Sequence, residues 1–354
     1  LHEKPAARND VIILLTDGEE TGLRGAVAFA RQSPLMKSVR TVVNVESRGD
    51  TGPSIMFETG QGNAALINLM ASAMPKPVSN SLAYEIYRLL PNDTDFTIYK
   101  SFGLNGYNFA MIGSASRYHS PRDDLAHLDV RTLQHHGDHA LSLIEKLEAT
   151  DLATLKSGAD ASYFDLAGQA MIVWPASLNL PVAVIALLGI LGLVVANRAS
   201  FGWVSTSLGI GAMLLALALL YACGWLLSYP LAIWPGVHPL DNPEPLAART
   251  SLLAAAMLIA AAIAALVSAR VPDVVSALIA WTFLAILGVV CAALLPGAAY
   301  ALIWPALIFA LKGWGVRLVG MKNHVQIASA VGFAVIAFFW ISHFVALDAV
   351  LGFT

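Results

Sequence analysis

Charged side chains are scarce in this chain. Only 13% of its 354 residues are Asp, Glu, Lys or Arg, against 57% hydrophobic, a balance too apolar for a soluble protein of this length. The scarcity is also local. Beyond residue 165 the only basic residues are Arg198, Arg249, Arg270, Lys312, Arg317 and Lys322, and the only acidic ones Asp241, Glu244, Asp273 and Asp348. This divides the chain into a soluble domain, 1–165, and a membrane domain, 171–354, so the net charge of −3 says little about partners. A basic patch is missing, which excludes a nucleic-acid partner. Cysteine is nearly missing. Cys223 and Cys291 both lie in apolar runs, which excludes a disulfide framework and leaves the redox compartment open. No secretory signal is legible at Leu1, and LHEKPAARND reads as the tail of a helix and a loop, as if the chain started inside a domain.

What the second half does have is six apolar runs, about 172–196, 203–227, 251–269, 274–295, 298–311 and 325–347. Most are long enough to cross a hydrocarbon core of ~30 Å. The fifth is short and reads as tilted, extended or re-entrant. Trp174, Trp203, Trp225, Trp234 and Trp304 fall at the ends or middles of the runs, and several suit an interfacial belt. The first five contain no ionisable Asp, Glu, Lys or Arg, and in the sixth His343 and Asp348 sit near one end. A transport path more often carries such groups at the bilayer centre, so an anchor or packing bundle is the expectation. If the soluble domain lies outside, Arg198, Arg270, Lys312, Arg317 and Lys322 fall in inner loops and only Arg249 in an outer one. This is the arrangement favoured by positive-inside bias.

In the first half one stretch organises the rest: VIILLTDGEETGLRG, Val11 to Gly25. Val11 to Leu15 is a short, mostly β-branched apolar run and reads as a buried strand. Thr16, Asp17 and Gly18 break it, Glu19 and Glu20 follow, and a helix starts after Gly22. Two carboxylates then sit at the carboxyl end of a strand, where open α/β sheets place their sites. One carboxylate can ligate a metal while its neighbour serves as general base for a metal-bound water. The alternative is a solvated pair at a helix N-terminus, favoured by the helix dipole. Further strands are expected at Thr41–Glu46, Ser54–Phe57 and Tyr107–Ile112. Helices are expected at Asn63–Met74, Ser81–Leu90, after PNDTDF (91–96), and Asp129–Glu148. The alternation implies an α/β sandwich with a parallel or mixed sheet. Glu46 ends the second strand, and His119 sits in the loop RYHSPRDD. Two carboxylates and an imidazole suit zinc, and Asp123 is placed to orient the His119 ring; a surface-loop histidine is the alternative for His119. His127, His135, His136 and His139 read as solvated positions on or beside the long helix.

TDGEETGLRG, NVESRGDTGPSIMFETG, PNDTDF and YHSPRDD together resemble the co-catalytic di-zinc aminopeptidases, a family that also holds glutamate carboxypeptidases and glutaminyl cyclases. FETG, PNDTDF and SYFDLAG (162–168), followed by many spans, resemble its membrane-anchored endoplasmic-reticulum metallopeptidase (Fxna-like) branch. The resemblance covers about residues 8–168 by motif and the membrane part by architecture. It implies a mixed-sheet zinc-exopeptidase sandwich, incomplete at its N-terminus, followed by an α-helical multi-span membrane domain. It implies a zinc-dependent metallo-exopeptidase, an aminopeptidase first of all, acting on peptides by metal-activated water. Position by position, Glu19 resembles the general base, Glu20 and His119 ligands of one zinc, Glu46 a ligand of the other, and Tyr118 a wall of the substrate site.

The family's first ligand, in a His-x-Asp motif, and its bridging Asp lie upstream of the Glu-Glu pair, and the residues before Glu19 contain neither. The chain thus reads as a fragment or a degraded member. It is expected to hold half of a two-zinc site and to be inactive alone. The rival function is a non-enzymatic membrane protein whose peptidase-like domain serves for binding. Expected partners are peptides and the lipid bilayer, with the peptidase domain on the extracytoplasmic side, periplasmic or lumenal. Oligomeric state has no signal in the sequence.

Overall fold

A computed structural model describes residues 7–89, 92–114, 117–156, 158–233 and 269–319. Contacts divide the chain into two units, Leu1–Leu178 and Asn179–Thr354.

The first unit is mixed α/β. After helix α1 (Arg24–Gln32) come strands β1 (Thr41–Ser47) and β2 (Thr51–Thr59). Helices α2 (Ala64–Ala73), α3 (Ser81–Tyr87) and α4 (Asp95–Ser101) follow, then β3 (Asn105–Gly113), helix α5 (Val130–Glu148) and a hairpin of β4 (Ala161–Asp165) and β5 (Met171–Pro175). The main sheet has the order β1-β3-β2. β1 runs parallel to β3, with Thr41 opposite Asn105 and Ser47 opposite Met111, and β2 is antiparallel to β3. The starts of α3, α4 and α5 carry polar caps. Thr94 and Thr97 form a capping box on α4, and the Asp129 carboxylate accepts from the Arg131 N–H at 2.8 Å on α5. Met56, Leu66, Ile67, Met70, Tyr107, Phe109, Leu143 and Tyr163 form the core. The Tyr107 hydroxyl donates to Leu66 O at 2.8 Å, so this buried phenol carries no unpaired donor.

The expected buried strand at Val11–Leu15 is not there. The segment is irregular, with Ile13 80% and Leu15 92% exposed. The sheet explains why. β1 is an edge strand, and a cleft of about 510 Å³ lined by Val11, Ile12, Leu14, Thr41, Val42 and Asn44 separates it from this segment. No ladder bonds form across that gap, so the apolar run has nothing to pair with. What holds the segment is its start: the Asn9 side chain donates to Leu147 O at 2.8 Å, in the last turn of α5, and to Thr150 O at 2.7 Å, just beyond it.

Two histidines expected on a solvated face are instead buried: His136 is 5% and His139 0% exposed. With Thr132, Leu143 and Leu147 they form one stripe of α5 that faces the sheet. His136 Nδ1 lies 2.6 Å from Ser54 Oγ on β2, and His135 and His139 each place Nε2 3.1 Å from Lys76 O.

In the second unit the described helices are α6 (Asn179–Ala196), α7 (Trp203–Ile233), α8 (Asp273–Leu294) and α9 (Tyr300–Val319). Three stretches, Ala176–Ala196, Asp273–Leu294 and Tyr300–Leu318, are long and apolar enough to cross a membrane. The first apolar run starts later than its hydropathy suggests, because Ile172, Val173 and Trp174 belong to β5. The fifth is longer, since α9 continues through Lys312 and Arg317. The third and sixth runs lie outside the described residues. α6 and α9 approach closely at small residues: Gly189 faces Ala310, and the Trp314 indole N–H donates to Gly189 O at 2.9 Å.

The buried histidines generate a pH prediction. Burial first, then the neighbouring His135, lowers His136 and His139 from 6.5 to about 4. The unfolded chain therefore takes up protons before the folded one does. The stability these neutral rings contribute is complete above pH 6.5 and is lost as pH falls toward 4. Thermal melts across that window should show a falling midpoint, and His139→Leu should flatten the slope. An unchanged slope in that variant would contradict the assignment.

Candidate active site

The parallel pairing of β1 and β3 brings their carboxyl ends to the same edge of the sheet. That edge is where ligand sites form in open α/β sheets, because the loops that leave it converge. β1 delivers Glu46 there, and β3 leads into the loop that carries Tyr118 and His119. The Glu-Glu turn joins them from the side. Gly25 N–H donates to Asp17 O at 2.8 Å, so close an approach that a Cβ on Gly25 would lie 2.6 Å from Asp17 N. This contact folds residues 17–25 into a compact turn that projects Glu19 and Glu20. The carboxylates come from that turn rather than from a strand end.

The structure brings Glu20, Tyr118 and His119 together. His119 Nε2 lies 2.5 Å from Glu20 Oε1, and the Tyr118 hydroxyl donates to the same oxygen at 3.1 Å. The two rings of the loop stack with centroids 3.7 Å apart. His119 adopts a left-handed backbone, φ 56°, a strained conformation for a non-glycine residue that surrounding contacts must hold. The hold comes from two residues earlier. Arg117 makes a bidentate pair with Asp50, at 2.5 and 2.8 Å, and thereby clamps the loop to the β1–β2 turn. Neither Arg117 nor Asp50 stood out in the sequence, although an Arg placed directly before the Tyr-His pair was the available signal.

Charge is distributed unevenly over the four carboxylates of the site. The hydrogen bond from His119 holds Glu20 below its usual value. Glu19 is raised, by burial first and then by Glu20 and Asp95. Glu46 is pushed up to about 6, mainly by burial, against the 2.8 Å hydrogen bond it accepts from Asn44. The fourth, Asp95, is 4% exposed and stands close enough to raise both Glu19 and Glu46.

A polar ladder ties Glu46 to the rest of the sheet. Asn44 donates to Asn108 Oδ1 at 2.9 Å, Asn108 donates to Glu58 at 2.8 Å, and buried Glu58 is paired with Lys100. Asn44 and Asn108, and Asn108 and Glu58, are register neighbours on adjacent strands, so strand pairing itself builds the ladder.

Asp123 does not take the place expected of it. It is exposed and makes no hydrogen bond to His119; its backbone N–H donates to Ser120 O at 3.0 Å. The loop turns it outward, and Asp124 is the carboxylate here that holds a ring, that of His127 at 2.7 Å. The contact His119 makes with Glu20 is through Nε2.

Comparison with known proteins gives a consistent result. Residues 1–144 match peptidase family M28. The chain is 29% identical over 180 residues to human endoplasmic reticulum metallopeptidase 1, covering 49% of this chain and 20% of that protein. It is 30% identical over 173 residues to the mouse protein, covering 47% and 19%. Against the vacuolar membrane protease of Eremothecium gossypii the identity is 28% over 168 residues, covering 47% and 16%. The matched segment thus spans about a fifth of the length of these curated relatives. No solved structure matches. Residues 1–144 thus carry a segment that matches peptidase family M28, and the relatives it resembles are endoplasmic reticulum metallopeptidase 1 and the vacuolar membrane proteases.

Proposed function

We propose that this chain forms part of a membrane-anchored zinc metallopeptidase, an aminopeptidase, whose peptidase domain works on the extracytoplasmic side. The observation that carries the reading is the 2.5 Å approach of His119 Nε2 to Glu20 Oε1, with Glu19 immediately beside it. An imidazole nitrogen and a carboxylate oxygen converging from two distant loops make a donor pair of the kind zinc takes. Glu20 and His119 would hold one ion and Glu46 would contribute to a second. Zinc, when bound, supplies Lewis acidity that polarises a scissile carbonyl and makes a water easier to deprotonate.

The chain's own residues do the rest. Glu19 is not tied up by a hydrogen bond to its carboxylate among the described residues, and burial has raised its proton affinity. It therefore suits a base that takes a proton from water and returns it to the leaving amine. Tyr118, stacked on His119, walls the substrate side. Asn44 holds Glu46 by its Oε1.

The rival reading is a peptidase-like domain that binds without cleaving. One observation favours it: among the described residues no group of three or more His, Cys, Asp or Glu gathers as a metal site, whereas a catalytic zinc normally takes three protein ligands.

Two variants of the complete gene product separate base from ligand. Glu19→Gln should lower kcat by on the order of 10²-fold or more while bound zinc stays constant. Glu20→Ala should lose zinc. Loss of zinc in Glu19→Gln, or full activity in Glu20→Ala, contradicts the roles; wild-type protein that binds peptides but cleaves none supports the rival.

Orientation rests on Arg198, Arg270, Lys312, Arg317 and Lys322 against Arg249. An impermeant thiol reagent applied from outside should label a cysteine introduced at Lys156 and spare one at Ser200, beyond α6. The reverse pattern places the peptidase domain in the cytoplasm.

A further inference from the structure

Arg48 is a cation at the site with no assigned role. β1 ends at Ser47, and alternation along the chain puts Asn44, Glu46 and Arg48 on one side. Its backbone N–H is fixed, donating to Met111 O at 2.9 Å, so the turn that carries it is tied to β3. The side chain is not satisfied. Among the described residues Arg48 makes no ion pair, although Glu19, Glu20, Glu46, Glu58, Asp93 and Asp95 surround this end of the sheet. Its Nε is buried with no acceptor.

A second orphan lies within electrostatic reach of it. The Tyr87 hydroxyl, at the end of α3, is likewise buried without a partner, and its ring is fixed edge-on against Phe57 at 4.7 Å. The two donors feel each other: burial first, then Glu58, Asp93 and Glu46, raise the Tyr87 hydroxyl, while Arg48 opposes them. Arg48 opposes the carboxylates in the same way at Tyr118. The guanidinium is thus within electrostatic reach of both Tyr87 and Tyr118.

Buried donors without acceptors are uncommon in folded proteins, because each forfeits a hydrogen bond it had in water. Two of them, one on a guanidinium, beside a proposed peptide-cleaving centre, are explained when the missing acceptor comes with the substrate. A guanidinium's planar fork matches a carboxylate in two-point contact.

We propose that Arg48, with the Tyr87 hydroxyl, receives a carboxylate of the peptide substrate and so selects for substrates that carry one near the scissile bond. The inference rests on the peptidase reading above. The carboxylate has two sources, the free C-terminus of a dipeptide or an acidic side chain.

The test compares wild type, Arg48→Ala and Arg48→Lys, each as the zinc-loaded complete gene product, on Leu-Gly, Leu-Gly-amide and Leu-Asp-amide. Arg48→Ala should raise KM for a carboxylate-bearing substrate on the order of 10- to 100-fold, leave kcat nearly constant, and spare Leu-Gly-amide. Arg48→Lys should recover part of the loss. A loss confined to Leu-Gly assigns the C-terminus, and one confined to Leu-Asp-amide assigns a side chain. Equal loss on all three, or none on any, overturns the proposal, leaving water as the acceptor of both donors. If wild type cleaves nothing, the peptidase reading fails, and binding decides Arg48 by itself. Calorimetry of N-acetyl-leucine against its amide should show preference for the acid in wild type and none in Arg48→Ala; no preference in wild type overturns it.

Discussion

The parallel pairing of β1 with β3 is the constraint on which the rest of the first unit depends. At Gly106 the strands come so close that a Cβ would lie 1.9 Å from Val42 O, so no larger residue fits and the register has little freedom to slip. With Thr41 opposite Asn105 and Ser47 opposite Met111, both strands finish at one edge. Glu46 and the Tyr118–His119 loop are thereby brought to the same place from positions more than seventy residues apart in the chain. A slip of one residue would turn Asn44, Glu46 and Arg48 to the other face together. It would also break the Asn44–Asn108–Glu58 ladder, whose members meet only because they are register neighbours.

Onto that frame the chain places an excess of negative charge that it satisfies only in part. Glu58 has Lys100 and Asn108, and Glu20 has His119 and Tyr118. Glu46 has Asn44 and the Asp95 backbone, yet is pushed up to about 6, and Asp95 keeps one buried carboxylate oxygen without a partner. Gathering carboxylates in a half-buried place is costly unless cations answer them. On the proposed function, a bound metal ion would answer this need. The strain at His119, held by the Arg117–Asp50 clamp, belongs to the same economy: the fold spends an ion pair to keep one imidazole aimed at one carboxylate.

Much of this was legible in the sequence, and the exceptions have physical reasons. β1, β3 and α5 declare themselves because short β-branched or aromatic apolar runs and a long helical period are local signals. The Glu-Glu turn, Glu46 and His119 were found through motifs, which record chemistry directly. Val11–Leu15 looked like a strand because its residues prefer one, but a strand also needs a neighbour, and β1 is separated from it by a cleft. His136 and His139 looked solvated because histidine is polar; their burial depends on which stripe of α5 meets the sheet, a property of packing. Asp123 had the right spacing from His119, yet the turn of the loop faces it to solvent. Asn44, Asn108 and Arg117 act through partners far away in the chain and so left no local pattern to read.

In the proposed function Glu20 and His119 act as a pair toward a metal ion. Anomalous diffraction at the zinc edge, from crystals of the complete gene product, tests it most directly. It should show a peak held between Glu20 Oε1 and His119 Nε2, with the two atoms moved apart from their 2.5 Å contact to admit the ion. Zinc bound elsewhere with that contact unchanged, or no zinc in crystals grown with it, would contradict the account.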